Sequence, residues 1–176
     1  THPPRPEDVL GAVVIEEVRT GGRRLFRKGH RLTADDLPAL STLDRPVHAV
    51  CLDPDEIHED EAGTRLASAI AGQGVAVRPP VQSRVNLVAA SKGLLRVDAA
   101  AVAAMNRLPG VAVFTLLDRL PVLPGKILAG TKIIPVAIAE SVLREAEAIA
   151  AQRPVVQVKP FQPLKVGVIA TERGWN

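Results

Sequence analysis

Short blocks rich in valine, isoleucine and leucine alternate with alanine-rich blocks along this chain of 176 residues. Aromatic residues make up only 2% of the sequence, so aliphatic side chains and alanine must fill the core. This alternation is typical of helices packed on strands, because each kind of element must bury an apolar face against the other. The sequence therefore predicts an α/β protein with mixed sheet layers and flanking helices. Its length suits one domain, with room for a small β-rich lobe at the N-terminus.

Turn and helix signals in the first half of the chain give a more detailed prediction. Two β-branched runs, at 11–18 and 23–27, flank a Gly-Gly turn and predict strands of the N-terminal lobe. Thr33 has the features of a helix N-cap. Asp53-Pro54 predicts the start of a longer helix, which we expect to run to about Ala71, because proline suits the first helical position.

The second half of the chain contains a predicted hairpin and a predicted domain boundary. Ser91-Lys92-Gly93 separates two apolar runs, as the turn of a hairpin does. A last apolar run at 165–170 predicts a strand, and such a strand usually leads into a helix in an α/β sheet. We therefore expect residues 1–164 to form the main domain and residues 165–176 to begin a following α/β segment.

Cysteine usage and hydropathy indicate the compartment. Cys51 is the single cysteine, so an internal disulfide is impossible and a reducing compartment fits. No apolar run approaches the ~20 residues that are needed to cross a bilayer. Residues 1–7 include three prolines and no apolar core of the kind that a secretory signal has. We expect a cytoplasmic protein that has no membrane partner.

Charge is unevenly distributed, although the net charge is only +3. The run 19–31 is basic and contains no acid, whereas the run 53–61 is acidic and contains no lysine or arginine. Residues 78–132 are again mostly basic, with Asp98 and Asp118 as the acids of that stretch. A basic middle region is compatible with an anionic ligand. Solvated surface charge is the simpler interpretation of any single residue.

The first candidate site combines an imidazole with carboxylates in the acidic run: His58, Glu59, Asp60 and Glu61. His58 and Glu61 are three residues apart and share a helix face, which suits a divalent metal such as Mg²⁺ or a base held in place. Position 62 is alanine rather than a second histidine, so the pattern of helical zinc proteases is not met. An acidic helix N-terminus that is stabilised by the helix dipole is the alternative interpretation.

The second candidate site is the polar start of an apolar run, where Ser83, Arg84 and Asn86 stand. Arg84 and Asn86 are two residues apart, so they share a face if the run is a strand. A guanidinium and an amide on one face suit a phosphate or the polar edge of a heterocycle. The alternative is an arginine that pairs with the acidic helix and an asparagine that closes a turn.

The third candidate site lies in the apolar run 126–134, which contains Thr131 and Lys132. A cation is energetically expensive in such a strand unless it has a partner. Lys126 would share the face of Lys132 in an unbroken strand. The two lysines either meet an anion in a cleft or extend their charged ends to solvent.

Several familiar classes of site are absent from the sequence. It has no glycine-rich phosphate loop and no dinucleotide-binding fingerprint. Its serines do not stand in the context of a nucleophile elbow. Aromatic residues are too few for the stacking platforms that bind single-stranded nucleic acid, so we expect no nucleic-acid partner.

Three segments resemble, in order, the molybdopterin-binding domain of bacterial molybdenum-cofactor biosynthesis proteins, which is often fused to a cytidylyltransferase-like domain. They are Asp55–Ala62, Arg84–Ala89 and Thr131–Pro135. The turn and helix at 28–36 are similar to that family too, and the similarity extends over about 11–171. The chain departs from the family pattern at Ser83, where we expect glycine, and at Val136, where we expect phenylalanine.

The resemblance implies a binding or accessory domain in molybdenum-cofactor biosynthesis. Its ligand would be molybdopterin, the molybdenum cofactor or a nucleotide form of it, and its partner a fused or separate nucleotidyltransferase domain. It implies no catalytic residue in this chain, which would be a transferase only as part of a larger enzyme. The residues that we expect to contact this small anionic pterin are Ser83, Arg84, Asn86, Lys126, Thr131 and Lys132.

Two alternatives of other classes remain open. An oligomerisation or scaffold domain would pair the basic strands with the acidic helix across the subunits of a homo-oligomer. A cofactor-handling transferase would turn over molybdate and a pterin nucleotide.

Overall fold

The computed structural model describes residues 6–81, 83–169 and 171. Their helices are α1 (Leu37–Ser41), α2 (Glu59–Ile70), α3 (Ala99–Met105) and α4 (Glu140–Ala151), with 3₁₀ turns at Pro6–Val9 and Ala34–Asp36. The strands of the first part are β1 (Val13–Val14), β2 (Val18–Thr20), β3 (Arg23–Phe26) and β4 (Ala49–Val50). Those that follow are β5 (Glu56–His58), β6 (Val75–Val77), β7 (Arg84–Ala89), β8 (Gly93–Val97), β9 (Val111–Thr115), β10 (Pro121–Val122), β11 (Ile127–Ile133), β12 (Ala137–Ala139) and β13 (Val156–Pro160).

The N-terminal part forms a small β-rich lobe with a core of its own. Strand β1 pairs with β4, and β2 pairs with β3, both antiparallel. The core of this lobe contains the buried side chains of Ala12, Val14, Val18, Phe26 and Leu32. The 3₁₀ turn Ala34–Asp36, which leads into α1, begins with a capping box in which the Thr33 backbone N–H donates to Asp36 Oδ2 over 2.8 Å. The predicted lobe is confirmed, although the predicted strand 11–18 is divided between β1 and β2.

The main body contains two antiparallel sheets under helices. One sheet has the strand order β6-β7-β11-β9, and the other has the order β10-β8-β13. Helix α2 packs on β7, β11 and α4, and the buried interior is almost entirely Val, Ile, Leu and Ala. This confirms the predicted α/β architecture of sheets with flanking helices. In the described residues every pairing between these strands is antiparallel.

Two units of the main body repeat the same succession of a short strand, a 12-residue helix and a strand. The first unit is β5-α2-β6 and the second is β12-α4-β13, and β5 pairs with β12. The backbone N–H of Glu59 donates to Val136 O over 3.0 Å, and that of Glu140 donates to Asp55 O over 2.7 Å. Each helix thus begins on a hydrogen bond to the residue that directly precedes the strand of the other unit. We call these segments the first and second matched units.

Two sequence predictions about this region are wrong. The helix begins at Glu59 instead of Asp53, because the three residues before it form β5 and pair with β12. The Asp53-Pro54 segment is a turn, closed by the backbone N–H of Glu56 donating to Asp53 O. The predicted hairpin does not form either. Strands β7 and β8 lie in different sheets, and the turn between them carries the chain across.

The segment 161–169 is exposed and has neither helix nor strand pairing. The predicted strand 165–170 is therefore not formed over 165–169, where the backbone has no neighbouring strand to bond, and Ala170 lies outside the described residues. The division between residues 1–164 and 165–176 stays a prediction. Among the described helices, none has both the length and the apolar character that crossing a membrane requires.

Candidate functional site

The register of three strands places the polar candidates of β7 and β11 on one face of the sheet. Lys132 lies opposite Arg84 on one side and Ala112 on the other. Gly130 lies opposite Asn86 and Phe114 in the same way. Because side chains alternate along a strand, Arg84, Asn86 and Lys132 share the face that points away from α2.

This face carries a cavity of ≈ 450 Å³, the sheet-face cavity, which is lined by Val81, Arg84, Asn86, Ala112, Phe114 and Lys132. The Arg84 guanidinium lies 5.2 Å from the centre of the Phe114 ring, within the range of a cation–π contact. Arg84 Nε donates to Asn86 Oδ1 over 3.1 Å. Phe114 lies across Gly130, where a Cβ atom would collide with the ring. The missing side chain therefore lets an aromatic ring cover the strand.

A second cavity, of ≈ 280 Å³, lies between the N-terminal lobe and the main body. We call it the interlobe cavity. The lobe contributes Glu17, Arg24, Arg27 and Lys28 to its lining, and the body contributes Glu59, Ser83, Lys132 and Ile134. Lys132 lines both cavities. The two cavities are therefore neighbours that share one lysine.

Cations outnumber anions around the interlobe cavity. Arg27 pairs with Asp60 at 3.0 Å, and Arg24 lies 3.8 Å from Glu17. The hydrogen bond from Arg19, with the nearby charge of Arg24, holds the pKa of Glu17 below its ordinary value of 4.5. Of the side chains that the structure describes, no carboxylate lies within ion-pair distance of Lys28 or Lys132. The cavity therefore has a surplus of positive charge, as an anion-binding site requires.

Glu59 is the buried carboxylate of this cavity, with 6% of its surface exposed. Its Oε1 lies so close to Gly29 that a Cβ atom on that residue would overlap it. Gly29 also has φ +80°, a backbone conformation that residues with a side chain rarely adopt. Both the close contact and the backbone conformation therefore favour glycine at this position. The lobe is held at this point by a hydrogen bond of 3.0 Å between His58 Nε2 and Gly29 O.

The four metal candidates do not come together as a metal site. His58 uses both ring nitrogens, since Nδ1 accepts from the backbone N–H of Asp60 and Nε2 donates to Gly29 O. Asp60 pairs with Arg27, and Glu61 is exposed on the helix. No group of three His, Cys, Asp or Glu side chains in the described part of the chain could hold a metal ion. His58 instead caps α2 and binds the lobe.

Four of the six candidate ligand residues gather around the two cavities, and two do not. Ser83, Arg84, Asn86 and Lys132 line one cavity or both. Thr131 is fully buried, and its hydroxyl donates to Gly63 O of α2 over 2.8 Å, so it faces the helix. Lys126 lies beyond the far end of β11, roughly 20 Å along the strand from Lys132. A register irregularity between Ile127 and Ala129 also breaks the alternation on which its placement depended.

The sequence interpretation missed the residues that the lobe contributes, and it missed Phe114. The basic run 19–31 contained the relevant signal, because Arg24, Arg27 and Lys28 all come from it. The run alone gave no indication of which of its charges face the body. In β9, Phe114 alternates with buried valines, and this alternation was the sequence signal that it lies on the opposite face of the strand. There it is 40% exposed.

The arrangement can bind an anion at a shared lysine, flanked by a flat guanidinium–phenyl pair and by one buried carboxylate. No family model matches the sequence, and no curated protein or solved structure matches it either.

Proposed function

We propose that this chain is a binding or accessory domain of molybdenum-cofactor biosynthesis that contacts a phosphate-bearing pterin or its nucleotide form. The resemblance of three ordered segments motivates the ligand class. The observation that carries the proposal is that Arg84 and Lys132 lie opposite each other on adjacent strands. The two cations are direct neighbours on adjacent strands, and no described carboxylate lies within ion-pair distance of either.

Like charges that face each other across two strands destabilise a sheet. An anion between them would reverse the sign of this interaction, because both cations would then be attracted to it. A phosphate is suited to this position, since it accepts from the guanidinium fork of Arg84 and from the ammonium of Lys132 at once. Asn86, which already bonds Arg84, holds the guanidinium in place.

Lys132 also lines the interlobe cavity, so a ligand whose phosphate lies at this lysine can extend its ring system toward the lobe. Lys28 and Arg27 then add positive charge on the lobe side. The role is one of binding and orientation.

The proposal is tested by titrating the purified chain with molybdopterin in a calorimeter. We expect Arg84→Ala and Lys132→Ala each to weaken binding roughly tenfold, because each removes a charge-assisted hydrogen bond worth about 1.5 kcal/mol. Lys126→Ala is the matched control, since it removes an exposed lysine next to the same strand. Unchanged affinity in both site variants would defeat the proposal.

Light scattering of the same samples distinguishes the scaffold alternative. A monomer that binds the ligand excludes a domain whose role is oligomerisation. An oligomer that dissociates on Lys132→Ala and binds no pterin would favour that alternative instead.

A further inference from the structure

Glu59 is only 6% exposed, and in the described structure no group pairs with its charge. Its own backbone N–H is satisfied by Val136 O. Among the described residues, however, none donates a hydrogen bond to its carboxylate or pairs with it. A carboxylate that is largely removed from bulk water favours a hydrogen-bond donor beside it. Its remaining exposed surface faces the interlobe cavity.

The position of Glu59 limits which part of a ligand it can meet. A phosphate would be repelled by the carboxylate and attracted by Lys132 and Lys28 on the same cavity. The part of the ligand that reaches Glu59 must therefore be a hydrogen-bond donor. A divalent cation is a poor occupant, since no group of three suitable ligands exists among the described side chains. The cavity thus fits a bifunctional ligand, with an anion at one end and N–H donors at the other.

We infer that Glu59 recognises the 2-amino-4-oxopyrimidine edge of the ligand's ring. This edge presents a ring N–H beside an exocyclic amine, and two adjacent donors match the two oxygens of a carboxylate. The inference rests on the proposed function and adds to it the group that selects the heterocycle. Glu59 is a binding residue in this scheme and takes no part in a reaction.

The test compares two phosphorylated probes that differ at one position of the ring. Neopterin monophosphate has the 2-amino group, and the corresponding lumazine phosphate has an oxygen there, which would face the carboxylate as a second acceptor. We expect the wild-type chain to bind the amino probe roughly 100-fold more tightly than the oxo probe, because a site built to receive a donor rejects an analogue that lacks it.

Glu59→Gln is the diagnostic variant. An amide can donate to the 2-oxo group and accept from only one N–H, so we expect the preference to fall to within roughly threefold. Glu61→Gln is the matched control, because it neutralises an exposed acid of the same helix, and it should retain the full preference. If Glu59→Gln does not fold, equal binding of the two probes to the wild-type chain still overturns the inference.

The outcomes separate this inference from the proposed function. If the amino probe binds and Lys132→Ala weakens it, but Glu59→Gln or the oxo probe changes nothing, the inference is overturned and the proposed function stands. If neither probe binds, both are overturned. If both probes bind equally to the wild-type chain with dependence on Lys132, the cavity binds the phosphate alone and Glu59 has no role in selecting the ring.

Discussion

The two matched units place a glutamate at the same position and surround it differently. Each helix begins with this residue, Glu59 in the first unit and Glu140 in the second, directly after a strand of the β5–β12 pair. Glu140 is bound by Arg65 and by Arg144. Glu59 is the more deeply buried of the two, and no described side chain pairs with it.

Arg65 connects the units through two forked interactions. Its guanidinium donates to Glu140 over 3.0 and 3.1 Å and to Glu147 over 3.0 and 2.9 Å. These hydrogen bonds raise the pKa of Arg65, and the bond from Arg65, followed by that from Arg144, lowers the pKa of Glu140 to about 2. The same backbone position is thus used for stability in one unit and left open toward a cavity in the other. The difference indicates that the open position is available to a ligand.

The largest effect on this comparison is expected from Arg65→Met. The variant leaves Glu140 and Glu147 without their shared partner, so we expect the free energy of unfolding to fall by about 2 kcal/mol, a value reduced for partial exposure of the group. Urea denaturation provides the measurement, with Arg119→Met as a control at an exposed arginine. Equal midpoints for Arg65→Met and the wild type would show that the second unit does not depend on this interaction.

Gly29→Ala tests the close packing of the lobe against Glu59 of the first unit. We expect a loss of about 2 kcal/mol, from a side chain at positive φ and from overlap with Glu59 Oε1. Gly11→Ala is the matched control, because Gly11 has φ +84° and no atom within 4 Å of the added Cβ. The control should lose only the conformational part, about 1 kcal/mol. Identical losses would mean that the Glu59 carboxylate moves freely away from the lobe.

A third test replaces each of the two glutamates, in separate variants, with glutamine. Glu140→Gln should lower the urea midpoint, and by less than Arg65→Met, since Glu147 keeps its partner. Glu59→Gln should leave the midpoint unchanged or raise it, because a neutral amide replaces a buried charge without a partner. The opposite order of midpoints would remove the distinction between the units.

The pH dependence of Glu140→Gln follows from its depressed pKa. A carboxyl whose pKa is lower in the folded state contributes stability above its unfolded value of 4.5 and loses it as the pH falls toward about 2. The difference in stability between wild type and Glu140→Gln should therefore be complete at pH 7 and shrink between pH 4.5 and 2. Urea midpoints at several pH values in that range measure it, and a difference independent of pH would contradict this assignment.

The smallest effect is expected from Ser83→Gly. Ser83 has φ 62°, where glycine is free of the strain that a side chain suffers, so we expect a gain of about 0.5 kcal/mol after the entropic cost of glycine. Ser83→Ala keeps the strain and should gain nothing. Thermal unfolding of the two variants makes the comparison, and a loss on Ser83→Gly would show that the hydroxyl group stabilises the cavity wall.

Local patterns were sufficient to predict some parts of this structure. Alternation along the strands predicted that Arg84 and Asn86 share a face, and Asp98 caps α3 through two hydrogen bonds of 3.1 Å from the backbone N–H groups of Ala100 and Ala101. The helix start at Asp53 was wrong because pairing with β12, far along the chain, overrides the local signal. The lobe's share of the interlobe cavity depends on how two cores pack together, and no run of neighbouring residues specifies that.

The reciprocal hydrogen bonds at the starts of α2 and α4 have a consequence for the kinetics of folding. Because each helix begins on the carbonyl that directly precedes the strand of the other unit, neither start is complete until both units have met. Their meeting closes a loop of about 80 residues, which carries an entropic cost before any contact compensates for it. The rate-limiting step should therefore be a non-local encounter, and refolding should be slower than in helical bundles of similar length.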